Sequence, residues 1–270
     1  MRIERHGDVA LLRMQSGKVN AIGTELLGRL ESLLAELREA RAAVITGEGA
    51  AFSAGLDLRE VVGQPRAAMR GFMERFDAVM LRVFELPIPL IAAINGHAVA
   101  GGCVVSLLAD IRIAADRDLR IGLNETQLGI GLPAVVLEAL RSQVPPSSLA
   151  PIALEGRLFS PREALQLGLV HEVVPEGELL PRALQRAAGL AALPPEGVRQ
   201  AKDSLRRDTA RRIRELDPAG GERWLDGWFS PATQDKLRET VLQLKRREAA
   251  HAGAPPSRAA RARACRAPRR

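Results

Sequence analysis

The sequence predicts an α/β fold whose strands pair largely in parallel. Short apolar runs of strand length end at a glycine or an Asn-Gly turn, stretches with helical spacing follow them, and this order repeats. From residue 195 onward the pattern becomes helical and amphipathic, which predicts a distinct C-terminal module.

Residues 9–14 alternate weakly and read as a strand, and 17–21 turn into the next element. Over 24–40 Leu26, Leu27, Leu30, Leu33, Leu34 and Leu37 recur at helical spacing, with Thr24 as the expected N-cap. Residues 42–47 form a buried strand ending at Gly47. A second buried strand over 89–94 leads into the Asn95-Gly96 turn, and 103–109 read as a buried helix. Residues 111–114 read as another strand. Ser160-Pro161 opens a helix with proline at its first position, ending near Gly168 before a last short strand over 169–174. The helical pattern of 195–248 is expected to break at 217–221, where Pro218, Gly220 and Gly221 cluster. The domain reading is therefore a core over 1–194, a helical oligomerisation module over 195–250 and a disordered basic tail over 251–270.

At 270 residues the chain can bury a full core. Its net charge of +7 invites a nucleic-acid reading until the charge is located. Arg258, Arg261, Arg263, Arg266, Arg269 and Arg270 all lie in the tail, and without them the balance is about +1. No nucleic-acid face is expected on the folded part. No apolar run has the length of a membrane span, and Met1-Arg2-Ile3-Glu4-Arg5-His6 lacks the apolar centre of a signal peptide. The expectation is a cytoplasmic protein without a membrane partner. Cys103 and Cys265 are the only cysteines and support neither a disulfide framework nor a metal site.

Three segments carry chemistry. In Ser53-Ala54-Gly55-Leu56-Asp57 the glycine permits torsions that turn the Leu56 N–H into a cavity, though a plain turn with Asp57 as a helix cap is the simpler reading. Ala100-Gly101-Gly102-Cys103 precedes a buried helix and supplies free N–H groups, though glycines there serve close packing equally well. The two segments lie about forty-five residues apart, and two converging N–H donors are what a thioester enolate needs. Glu125 sits in the apolar stretch Ile121-Gly122-Leu123-Asn124-Glu125-Thr126-Gln127-Leu128-Gly129, which should raise its pKa and suit it to moving a proton to and from carbon, though on this stretch alone a glutamate on a solvated loop is the simpler reading. His97, in the Asn95-Gly96 turn, reads as structural. Trp224 and Trp228, at helical spacing, read as packing or subunit contact, and His6 and His171 show no partner pattern.

With these residues in view the chain resembles the crotonase (enoyl-CoA hydratase/isomerase) superfamily, from Val9 to about Lys245. Lys18-Val19-Asn20-Ala21 and Phe159-Ser160-Pro161-Arg162-Glu163-Ala164-Leu165-Gln166-Leu167-Gly168-Leu169-Val170 add to the two glycine segments. The resemblance implies a (ββα)n spiral core. It implies catalytic roles for Glu125 and for the N–H groups of Leu56 and Gly101. Ala54, Gly55, Leu56, Asp57 and Leu58 would lie along the CoA thioester arm, with Gly101 and Asn124 at the reacting end. Hydratases resembling this chain carry a further glutamate three residues after the oxyanion glycine, where this chain has Val104. The run from Ile121 to Ile130 is similar to mitochondrial-type Δ3,Δ2-enoyl-CoA isomerases, while Gly131-Leu132-Pro133 departs from them. The resemblance also implies a homotrimer or dimer of trimers, contacts from Lys236 and Lys245 to CoA phosphates, and no cofactor or metal beyond the CoA of the substrate. A hydratase, a thioester hydrolase, a decarboxylase, and a silent CoA-binding or RNA-associated member are the other readings.

Overall fold

A computed structural model of the chain describes residues 1–252. Its strands run β1 (Arg2–His6), β2 (Val9–Met14), β3 (Ala42–Gly47), β4 (Ala51–Ser53), β5 (Leu90–Ile94), β6 (His97–Val99), β7 (Ile111–Asp116), β8 (Ile121–Gly122) and β9 (Glu172–Pro175). Its α-helices run α1 (Thr24–Glu36), α2 (Leu58–Val61), α3 (Arg66–Phe84), α4 (Gly101–Leu107), α5 (Ala134–Gln143), α6 (Leu149–Ala153), α7 (Pro161–Gln166), α8 (Leu179–Ala191), α9 (Pro195–Trp228) and α10 (Pro231–Ala252). The basic tail expected over 251–270 lies, beyond its first two residues, outside the described residues.

Two sheets result. The larger has the order β1-β2-β3-β5-β7-β9, antiparallel between β1 and β2 and parallel elsewhere. The smaller is the parallel set β4-β6-β8. The chain alternates between them: β3 then β4, β5 then β6, β7 then β8, each pair followed by helical structure. This is the (ββα)n spiral. The strands β3 and β5 are buried along their whole length, which is why they read as continuous apolar runs rather than alternating ones.

Several elements differ from expectation for identifiable reasons. Thr24 is the first helical residue of α1 rather than its cap. Gly23 occupies the cap position, and the Glu60 carboxylate accepts from the Thr24 N–H at 3.0 Å, so a side chain from α2 does the capping. The last strand begins at Glu172 instead of residue 169, because the Leu169 and Val170 N–H groups both return to the Ala164 carbonyl and close α7. His171, for which no partner was expected, accepts from the Arg112 N–H through Nδ1 at 3.0 Å. The helix α9 runs without a break through 217–221 and ends at Trp228. Proline costs a helix one hydrogen bond, but here both flanks of the segment are pinned to the core.

That pinning is ionic and aromatic. Asp110, just beyond α4, accepts from Lys202 Nζ at 2.7 Å and lies 2.6 Å from Arg206 Nη2. Arg206 also donates to the Phe84 and Leu108 carbonyls and stacks on the Phe84 ring at 4.3 Å. Further along, Trp224 and Trp228 stack at 5.1 Å, both buried, and Trp224 Nε1 donates to the Gly131 carbonyl at 2.9 Å. The C-terminal helices are thus packed on the core, and the two tryptophans pack as expected.

Candidate functional site

The three chemical segments follow three neighbouring parallel strands. Leu56 comes three residues after β4, Gly101 two after β6, and Glu125 three after β8. Because the strands are parallel and β6 is central, their carboxyl-terminal loops gather at one end of the small sheet, where α/β proteins build sites.

The direction of each N–H follows from the carbonyl before it. The Gly55 carbonyl accepts from the Ile22 N–H at 2.7 Å, and the Asp57 N–H donates to the Ile22 carbonyl at 3.0 Å. In a trans peptide the N–H points opposite to its carbonyl, so the Leu56 N–H faces away from Ile22. Gly55 takes φ +85, a conformation open to glycine. On the other segment the Ala100 carbonyl accepts from the Val104 N–H at 3.0 Å, which directs the Gly101 N–H back out of the first turn of α4. Ala100 itself holds φ +51 and ψ −125, a strained conformation for alanine, with its N–H on the Gly122 carbonyl at 2.9 Å. Neither the Leu56 nor the Gly101 N–H meets a protein acceptor among the described residues.

The two donors are neighbours. A Cβ placed on Gly55 would lie 3.0 Å from the Gly101 nitrogen, and one on Gly101 would lie 3.6 Å from the Leu56 nitrogen. Gly102 plays a different part. A Cβ there would come within 2.1 Å of the Ser53 carbonyl oxygen, so this glycine permits close helix–strand packing. Of the two alternatives for the glycine pair, packing belongs to Gly102 and donor exposure to Gly101.

Glu125 opens a short 3₁₀ turn over Glu125–Leu128. Its Oε2 and the Asn124 Oδ1 are buried with no hydrogen-bond partner among the described residues. Burial lifts the Glu125 carboxyl to a pKa of about 7, against a smaller opposing effect of its own backbone hydrogen bond. A buried carboxyl oxygen left without a partner is costly unless a ligand uses it. Cys103, close enough to feel the Glu125 charge, is pushed up to about 12, mainly by burial, and stays a thiol at neutral pH. Val104 is fully buried in the first turn of α4.

The remaining expected residues have the following places. Ala54 and Gly55 form the turn out of β4. Asp57 caps α2, its carboxylate accepting from the Arg59 N–H at 3.1 Å, and Leu58 begins that helix. His97 accepts from the Arg120 N–H through Nδ1 at 3.0 Å, in keeping with a structural role. Lys236 and Lys245 both lie on α10, which packs against α2 and the Glu125 turn. Two contributors escaped the sequence reading. Ile22 carries a backbone role that leaves no side-chain signature, although it adjoins the Lys18–Ala21 motif. Ala100 stands in the sequence only as part of the glycine segment, and its strained backbone, with the N–H on the Gly122 carbonyl, has no signal in residue type.

The family model described as enoyl-CoA hydratase/isomerase matches residues 4–219. The chain belongs to this family. It is 36% identical over 242 residues to human mitochondrial enoyl-CoA delta isomerase 1, covering 88% of this chain and 80% of that protein. It is also 31% identical over 210 residues to a probable enoyl-CoA hydratase of Mycobacterium tuberculosis, covering 76% of this chain and 79% of that protein. Among solved structures, human mitochondrial Δ3-Δ2-enoyl-CoA isomerase superposes with a TM-score of 0.87 at 33% identity, covering 91% of this chain and 98% of the other. The fold is that of the crotonase superfamily, and the chain is an enzyme of the hydratase/isomerase family. Among the described residues no helix is long and apolar enough to cross a membrane.

Proposed function

We propose that this enzyme is a Δ3,Δ2-enoyl-CoA isomerase. The observation that carries the reading is the pairing of Glu125 with Val104: an acid/base group poised near neutrality stands at the site, and the position from which a second carboxylate would activate water holds a buried valine. Hydration needs one group to deliver water and another to manage the α-carbon proton. Moving a double bond needs one group to lift a proton and set it down two carbons away.

In the proposed reaction Glu125 takes a C2 proton from a 3-enoyl-CoA. The electron pair of that C–H bond moves into the C1–C2 bond, and the carbonyl oxygen gains the negative charge. The Leu56 and Gly101 N–H groups hold that oxygen as the enolate forms. The protonated Glu125 then returns its proton at C4, the double bond shifts to C2–C3, and the product is the 2-trans-enoyl thioester. No atoms enter or leave, so the substrate's own CoA is the only carrier required. Ala54, Gly55, Asp57 and Leu58 would line the thioester arm, Asn124 would border the reacting carbons, and Lys236 and Lys245 would reach the CoA phosphates. A homotrimer or dimer of trimers is proposed as the assembly. In such an assembly Leu205 and Leu242, exposed at 80% and 56% on the two C-terminal helices, would be candidates for the subunit contact.

The deciding experiment incubates the pure protein with matched 3-enoyl and 2-enoyl thioesters and identifies the products by mass spectrometry and NMR. Conversion of the 3-enoyl to the 2-enoyl species without 3-hydroxyacyl-CoA supports isomerisation. Hydration of the 2-enoyl substrate at a comparable rate would overturn it in favour of the hydratase activity that several relatives are named for.

A further inference from the structure

We infer that Asn20 is a positioning residue for the Leu56 N–H, an inference that rests on the reading of that N–H as an oxyanion donor. Asn20 is completely buried and holds φ +52, in the left-handed region that asparagine tolerates better than most residues with a Cβ. Its amide makes three hydrogen bonds. Nδ2 donates to the Glu48 carbonyl at 3.0 Å and the Ala51 carbonyl at 2.9 Å, and Oδ1 accepts from the Ser16 N–H at 3.1 Å.

The backbone of Asn20 continues the connection toward the site. Its carbonyl accepts from the Ser53 hydroxyl at 2.7 Å, and Ser53 Oγ in turn accepts from the Gly55 N–H at 3.3 Å. To either side the Ala54 N–H donates to the Val19 carbonyl at 3.0 Å and the Ile22 N–H to the Gly55 carbonyl at 2.7 Å. Residues 19–22 therefore form an edge along which 53–57 is laid. The Asn20 side chain ties that edge to Glu48 and Ala51, which lead into β4. If the edge shifts, the Gly55 carbonyl shifts with it, and the Leu56 N–H turns away from the Gly101 N–H.

The side chain meets two demands at once: a left-handed backbone and two donors for buried carbonyls. Glycine satisfies the first alone. Ionised aspartate offers acceptors where two carbonyls need donors, and alanine meets neither demand. Residues at this distance from the chemistry act through placement, where about 1 Å of displacement can cost about 100-fold in rate.

The test compares wild type with Asn20→Gly, which keeps the torsion open while deleting the side-chain bonds, and with Ser53→Ala, which removes the hydroxyl bridge between the Asn20 carbonyl and the Gly55 N–H. For Asn20→Gly we expect kcat on a 3-enoyl-CoA to fall about 100-fold while KM stays within about 3-fold. Deuterium should enter peptides covering 53–57 faster, with β3 and β5 exchanging as in wild type. Ser53→Ala should move both readouts the same way by less. Wild-type kcat in Asn20→Gly, unchanged uptake over 53–57, or faster uptake spread evenly over the fold would overturn the inference. Should Asn20→Gly fail to fold, Ser53→Ala decides, and unchanged kcat and uptake in it overturn the inference. The uptake comparison needs no substrate. A wild-type protein inert towards 3-enoyl-CoA would therefore overturn the proposed function and leave uptake to decide this one.

Discussion

Glu125 must be ionised to take a proton, and burial places its pKa at about 7. The free enzyme's kcat/KM should therefore fall about tenfold per pH unit below 7, on a single-proton slope, and level off above it. A pH–rate profile that is flat between 5 and 8 would contradict this. The same shift has a stability consequence. The folded protein holds the Glu125 proton more tightly than the unfolded chain does. Its contribution is thus most favourable below the unfolded pKa and is lost as pH rises through about 7. Glu125→Gln should lose roughly 10²–10⁴ in kcat, and its melting temperature relative to wild type should rise between pH 5 and pH 8. At the donors the side chain of Leu56 matters little, since the N–H is the working group. Gly101→Pro, which deletes the other N–H, should cost about 10²–10³ in rate, measured against Leu56→Ala as the mild control.

Among the elements, α9 depends on a buried charge cluster rather than on a continuous apolar stripe. Asp110 balances Lys202 and Arg206. Desolvation pulls the Lys202 pKa down to about 8 even with that carboxylate beside it. Asp110→Asn leaves both cations buried without a counter-charge, and it should destabilise the fold by about 3–5 kcal/mol, read by urea or thermal denaturation. Several elements were legible in the residues. The strands β2 and β3 announced themselves by apolar content, α1 by its leucine spacing, and α7 by Ser160-Pro161, to which the structure adds a capping box with Glu163. The short strands β4, β6 and β8 were not. At two or three residues they carry too little pattern, and they exist because the spiral brings them side by side. The 217–221 segment misled for the opposite reason, since its breakers are strong local signals overruled by tertiary anchors on both sides.

For the whole molecule, the proposed trimer or dimer of trimers sets a mass that can be measured. Light scattering on the purified protein should return three or six times the 29.1 kDa chain mass. A monomer at micromolar concentration would remove that proposal. The excess positive charge sits in the final arginines, outside the described residues. Truncation after residue 252 should leave kcat and KM for a thioester substrate within about twofold, because the balance over the rest of the chain is close to neutral.

The amino-acid sequence by itself determined the family, the two glycine segments, the lone Glu125 and the valine at 104, because these are local facts of residue type and spacing. It could not determine which way a peptide N–H points. That direction is set by the hydrogen bond each preceding carbonyl makes, to Ile22 in one segment and Val104 in the other. Nor could it show that Gly101 exposes a donor while Gly102 packs, or that Asn20 ties the first segment in place. The pKa of Glu125 belongs to the same class. A glutamate is ordinary in sequence, and only the surrounding fold, by removing water from its carboxyl, brings it to neutrality.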